Sequence, residues 1–137
     1  MAGADKQILG PNSSVSVNGT DISQYCTSVT AEDTAEDVDV TGFKATYRIH
    51  EKGLRDSTIT TTIIQGTATD NLISPIYYND TAGTVKVTPD TNGTVVYTQI
   101  SKPFGWSPIG GGGPGDLNTV DVTWMNNGTA GLTRGTA

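Results

Sequence analysis

Cysteine is almost absent: Cys26 is the only one in 137 residues, so no intrachain disulfide can form, and the stapled small secreted domain is an unsuitable template. Histidine is equally scarce, with His50 alone. A zinc site would need Cys26 plus carboxylates, and no ligand spacing supports one. A Cys26/His50 nucleophilic pair would need an orienting third group, which no motif supplies. There is no apolar run near the roughly 20 residues that span a bilayer. The first seven residues, Met-Ala-Gly-Ala-Asp-Lys-Gln, lack the basic start and apolar stretch of a signal peptide. Synthesis in a cytoplasm is therefore expected. The Asn-x-Ser/Thr sequons at Asn12, Asn18, Asn79, Asn92 and Asn127 are then chance products of composition, with no meaning for glycosylation.

Charged residues make up only 16% and hydrophobic ones 34%, against nearer half apolar in ordinary globules. The place of both is taken by 23 threonines and 17 glycines, with serine and asparagine. Threonine suits a pleated surface and glycine suits turns, so strands and loops are expected. A polar but uncharged surface costs less to desolvate than a charged one and suits assembly; an ordinary soluble β domain with a Thr-rich surface is the plain alternative. The net charge of −6 and pI near 4.4 disfavour nucleic-acid binding, which draws its affinity from neutralising phosphates.

Along the chain, 1–12 read as an arm, 14–17 as a strand, Asn18-Gly19 as a two-residue turn, and 22–29 as a second strand. The acidic stretch 31–39 has five acids, few apolar residues and no basic neighbour, and is expected to be a loop or mobile hairpin. Phe43–Ile49 alternates as a half-buried strand, Glu51–Gly53 turns, and Ser57–Gln65 is the clearest strand. Thr69–Tyr78 is the one expected helix, capped by Thr69 and held to about two turns by Pro75. Strands follow at 84–88 and 94–101, joined by a loop at 89–93. The Gly/Pro-rich stretch 102–116 is expected as a long loop, 117–125 as a last strand and 126–137 as a tail. The whole chain, 1–137, reads as a single domain.

The chemical motifs are weak. Gly110–Gly115 matches G-x-G-x-x-G but precedes a strand, so it lacks the helix start that binds phosphate. The acids at 32, 33, 36, 37 and 39 lack the ordered spacing of a calcium loop. No acid, base and nucleophile converge, so no enzyme and no cofactor are expected. Trp124 falls in register with Val120 and Val122 and reads as core. Trp106, in a Gly/Pro loop, reads as an interface anchor, or, with Tyr77 and Tyr78, as a sugar-binding platform.

Three segments resemble the tail tube (major tail) proteins of long-tailed phages. One is Val15-Ser16-Val17-Asn18-Gly19-Thr20-Asp21-Ile22-Ser23 with the later Val38-Asp39-Val40-Thr41-Gly42-Phe43. The second is Gly53-Leu54-Arg55-Asp56-Ser57, similar to the family's Gly-Leu-(Lys/Arg)-Asp lead into a central strand. The third is Gly115-Asp116-Leu117 through Trp124 to Gly131-Leu132-Thr133-Arg134. The resemblance implies an all-β, sandwich- or barrel-like tail-tube fold with one short flanking helix and long loops. It implies subunits, six to a ring, that stack around an acidic lumen through which DNA passes without specific binding. The implied partners are further copies of the chain and other tail proteins, in a virion and away from any membrane. Candidate subunit contacts are Trp106, Phe104, Asp33, Glu36, Asp37, Leu132 and Arg134. Candidate lumen residues are Lys44, Thr46, Arg48, Thr58, Thr60 and Thr62. A head decoration protein and a carbohydrate-binding β-sandwich module are the alternatives.

Overall fold

A computed structural model describes residues 13–89 and 95–136. The expected arm at 1–12 and most of the 89–93 loop lie outside the described residues. Eight strands and one helix follow in order: β1 (Ser14–Val17), β2 (Thr20–Asp21), β3 (Cys26–Asp39), β4 (His50–Ile64), α1 (Thr67–Tyr78), β5 (Gly83–Thr88), β6 (Val95–Pro103), β7 (Thr119–Asn126) and β8 (Thr133–Thr136). The strands form one antiparallel sheet in the order β2-β1-β5-β6-β7-β4-β3, with β8 paired to β6.

Period-2 alternation sets the buried face. On β4, Ser57, Ile59, Thr61 and Ile63 point inward while Thr58, Thr60, Thr62 and Ile64 point outward. On β7, Val120, Val122 and Trp124 are buried, and Trp124 stands opposite Ile59 in the register. Val15 and Val17 of β1 and Val85 and Val87 of β5 join the same core as these residues. One sheet can do this only by curling over its own inner face, the shape its right-handed twist promotes. The indole N–H of Trp124 donates to Thr61 Oγ1 at 3.2 Å, so the largest core side chain leaves no polar atom unpaired.

The Asn18-Gly19 turn is as expected: both residues have positive φ, 52° and 83°, the requirement of a two-residue type I′ turn. Asn18 also ties this turn to β5, its Oδ1 accepting from Thr84 N–H at 2.9 Å.

The helix starts two residues early and runs three turns. Gly66 is its N-cap, and the Thr69 hydroxyl accepts from Gly66 N–H at 2.9 Å, closing the start from inside the first turn. Thr69, Ile73 and Ile76 are buried, an i, i+4, i+7 stripe. Pro75 lies on the opposite, exposed side. The Asn71 carbonyl that proline deprives of its partner therefore faces water, which is why Pro75 does not end the helix.

Five further expectations need correction. Residues 23–25 form a turn and the second long strand begins at Cys26. Of the two readings of the acidic 31–39 stretch, the loop is wrong and a hairpin is what forms: the stretch is strand, paired to β4 along its length. Phe43–Ile49, expected as a strand, is instead the connection between β3 and β4, and Glu51–Gly53, expected as a turn, is strand. The 126–137 tail contains β8, which pairs Thr133–Thr136 with 95–98 of β6. The reason is common to the hairpin errors: its backbone pairing and ion pairs hold strands that bury no side chain, so no alternating pattern marks them.

Candidate functional site

The strand β7 follows β4 only from Ile64 back to Thr58. Beyond that point β3 and β4 continue alone, Asp33 opposite Ser57, Ala35 opposite Arg55 and Asp39 opposite His50. The result is a two-stranded arm, closed by residues 40–49, that leaves the body with no third strand. The register shifts between Ala35 and Asp37, where Gly53 and Leu54 of β4 share the place opposite Glu36. A Cβ at Gly53 would lie 3.0 Å from the Cβ of Glu36, so this bulge needs glycine.

An isolated two-stranded hairpin is marginal in water, and in this one side chains also pair across the two strands. Arg55 pairs with Asp33, His50 Nδ1 with Asp37 Oδ1 at 2.7 Å, and Arg48 Nη1 with Asp39 Oδ2 at 2.8 Å. The sequence reading found no base near the acids because their partners arrive from the returning strand. At the tip, Thr41 N–H donates to Asp39 Oδ1 at 2.9 Å and Ile49 N–H to Thr41 Oγ1 at 2.8 Å. The hydrogen bond from Arg55, with the Lys52 charge nearby, holds the Asp33 carboxyl below the ordinary aspartate value; Thr41, ahead of Arg48, does the same for Asp39. A lowered folded pKa stabilises above the ordinary aspartate range and that contribution fades as pH falls through it. Arg55→Gln is expected to move the carboxyl 13C titration midpoint of Asp33 upward while leaving that of Asp39 in place.

The arm is also apolar. Val38, Val40, Phe43, Tyr47, Ile49 and Leu54 are all exposed, Tyr47 at 84% and Leu54 at 79%. Large apolar side chains gathered on one projecting element mark an interaction surface. The outer edge of β3 pairs with no strand among the described residues, and an open edge of that length is a template for another strand.

The expected site residues divide into three groups. Asp33, Glu36 and Asp37 lie on the arm as strand residues. Lys44, Thr46 and Arg48 sit at its tip, separated from Thr58, Thr60 and Thr62 in the body, so the structure does not bring the six expected lumen residues together. The three body threonines lie on the outer sheet face with Ser28, Thr30 and Glu32 on one side and Thr119, Asp121 and Thr123 on the other; Thr62 Oγ1 donates to Asp121 Oδ1 at 2.6 Å. Phe104 is exposed, but Trp106 and Leu132 pack partly buried against this chain's own core. Arg134 is on β8, opposite Tyr97. The turned-in Trp106 also removes the flat exposed indole that a sugar platform with Tyr77 and Tyr78 would use. Sequence reasoning missed Leu54, Val38, Val40 and Ile49 as surface residues; the available signals were Leu54 directly after Gly53, and Val38 and Val40 alternating at the end of the acidic stretch.

Among the described residues no group of three or more His, Cys, Asp or Glu is placed to hold a metal ion. Cys26 stands opposite Ile63 at the body end of β3, while His50 stands opposite Asp39 at the far end of the arm, so the two are not partners. Burial pushes the Cys26 thiol up, away from the reactive thiolate. No helix among the described residues is long and apolar enough to cross a membrane.

No family model matches the sequence, and no curated protein matches it. Solved structures do. A chain in the virion of a native gene transfer agent particle superposes with a TM-score of 0.73 at 14% identity, over 95% of this chain and 98% of that one. A chain in the tail of an empty gene transfer agent particle, refined with C6 symmetry, gives 0.66 at 18% identity, over 82% and 83%. A chain in the tube-terminating cap of the anti-feeding prophage gives 0.67 at 14% identity, over 96% and 93%. Each match spans more than four fifths of both partners. The chain thus has the fold found in these tail and tube-cap particles, the all-β architecture with one flanking helix that its sequence resemblance implied.

Proposed function

We propose that this chain is a structural subunit of a tail tube: it performs no reaction, assembles with copies of itself into stacked rings of six, and encloses a lumen through which DNA passes without being held. The observation that carries this reading is the two-stranded arm, with apolar side chains on its surface and an unpaired β3 edge. A monomer would keep both in water. A ring of copies covers them, and ring closure removes sheet edges altogether. The likeness to a gene transfer agent tail of C6 symmetry supports six as the ring number, and the likeness to a virion chain supports a place in a particle.

The outer face of β3, β4 and β7 fits the lumen. Its hydroxyls at Ser28, Thr30, Thr58, Thr60, Thr62, Thr119 and Thr123 are accompanied by acids, Glu32 and Asp121, and by no base. Such a wall offers phosphate no counter-charge, so the DNA backbone is repelled and slides. Lys44 and Arg48, at the arm tip, lie outside this wall. The likeness to a tail and to a tube cap favours this reading over a head decoration protein, and the carbohydrate reading loses Trp106.

Negative-stain microscopy of the purified protein tests the reading. Six-fold rings and tubes are the expected result. A monomer at every concentration and salt would overturn it. Rings that never stack would move the role to a tube end, as in the tube-terminating cap.

A further inference from the structure

At the base of the arm, on the side facing the β7–β8 connection, lies an open cavity of about 220 Å³ lined by Asp33, Leu54–Ser57, Asn126 and Thr129–Gly131. We propose that this cavity is the socket for the arm tip of a second copy of the chain, with Tyr47 entering it and Lys44 meeting its acidic rim. The proposal rests on the self-assembling tube subunit and names where one copy grips the next.

Three observations carry it. The first is an orphan. Ser57 is 2% exposed, lines the cavity, and its Oγ has no hydrogen-bond partner. A buried hydroxyl left unpaired is costly, so a polar group from outside is wanted at that point. A tyrosine ring with its phenol foremost supplies one, and the cavity exceeds the roughly 150 Å³ known to admit a benzene-sized guest. Second, the charges are complementary. The tip, residues 40–49, carries Lys44 and Arg48 and no acid, whereas the cavity lining has Asp33 and Asp56 against Arg55 alone. Lys44 and Asp56 make no ion pair among the described residues. Third, the tip cannot reach its own socket. From Asp33 to Val40 the strand extends away from the cavity by about 3.3 Å per residue, roughly 23 Å in all. The occupant must come from another molecule, and such a head-to-tail contact propagates. Phe43, fully exposed, then has Leu54 at the socket mouth to cover it.

The experiment is a charge swap read by the critical concentration for assembly, measured by light scattering, with microscopy of the same samples. Lys44→Asp and Asp56→Lys alone are each expected to raise that concentration by about tenfold, and the double variant to restore it to within about threefold of the parent. A second measurement avoids reliance on charge. In a Cys26→Ser background, Tyr47→Cys protein mixed with Thr129→Cys protein should give the mixed disulfide dimer in at least about tenfold excess over Tyr47→Cys mixed with Lys86→Cys. Assembly with no rescue and no selective crosslink would overturn the socket while leaving the tube subunit intact. Absence of any assembly in the parent protein would overturn both.

Discussion

Trp124→Ala is expected to destabilise the fold more than any other single core substitution, while leaving it able to fold. Trp124 is fully buried on β7, opposite Ile59, with Val122 and Val120 above it on the same face. Removing a buried tryptophan side chain costs about 3–5 kcal/mol, most of it from apolar contact and the cavity left behind. A second loss follows, because Thr61 Oγ1 loses the indole donor it accepts from. Against the ~5–15 kcal/mol that holds an ordinary domain together, this is a large share of the total. Gln99 deepens the effect: its Nε2 donates to the Trp124 carbonyl at 3.1 Å, and its Oε1 already lacks a partner. Any shift of the β7 backbone would strand a second buried amide atom. In urea, followed by far-ultraviolet circular dichroism, the midpoint is expected to fall by at least about 1 M, given slopes of about 1–3 kcal/mol per M. An unchanged midpoint would mean that the β4–β7 face is not the core.

What could be read beforehand and what could not divides along the same line, buried against unburied. β1, β5, β7 and the body half of β4 alternate because one face of each enters the core, so Val15/Val17, Val85/Val87, Val120/Val122/Trp124 and Ile59/Ile63 were all legible. Asn18-Gly19 was legible because its φ angles demand those residues. The arm was not. Its strands bury nothing, and Asp33, Asp37 and Asp39 find Arg55, His50 and Arg48 only across the hairpin. A one-dimensional reading sees acids without bases and infers a loop or a mobile hairpin. Phe43–Ile49 failed in the opposite sense: its alternation matches a half-buried strand, yet Phe43 and Tyr47 are exposed. Its apolar side chains have no partner within this chain, and a pattern alone cannot say whether the surface being covered is one's own. Trp106 shows the converse. An aromatic in a Gly/Pro loop looked like an interface anchor, but the loop returns to the body. There Gly110 N–H donates to Asn118 Oδ1 at 2.7 Å and Asn118 Nδ2 to the Pro108 carbonyl at 3.0 Å.

Excising the arm is expected to do the opposite of Trp124→Ala: leave the fold and abolish assembly. Ala35 and Arg55 are directly paired, so residues 36–54 can be replaced by Asn-Gly, the two-residue turn whose twist suits antiparallel strands. Not one residue from 36 to 54 is buried. The deletion therefore removes no core contact, and the Asp37–His50 and Arg48–Asp39 pairs it discards are exposed and contribute little to stability. A shorter connection between β3 and β4 also costs slightly less entropy to close. The urea midpoint should stay near that of the parent, with a monomer by analytical ultracentrifugation at concentrations where the parent makes rings or tubes. Rings persisting without the arm would assign ring closure to the β3 edge and the body alone, and leave the arm only the step of stacking. Loss of the cooperative transition would show that the arm, for all its exposure, nucleates β3 against β4. The contrast between the two variants isolates the physical division in this molecule: a body that folds by burying valine, isoleucine and one tryptophan, and an arm whose apolar side chains stay exposed in the single chain.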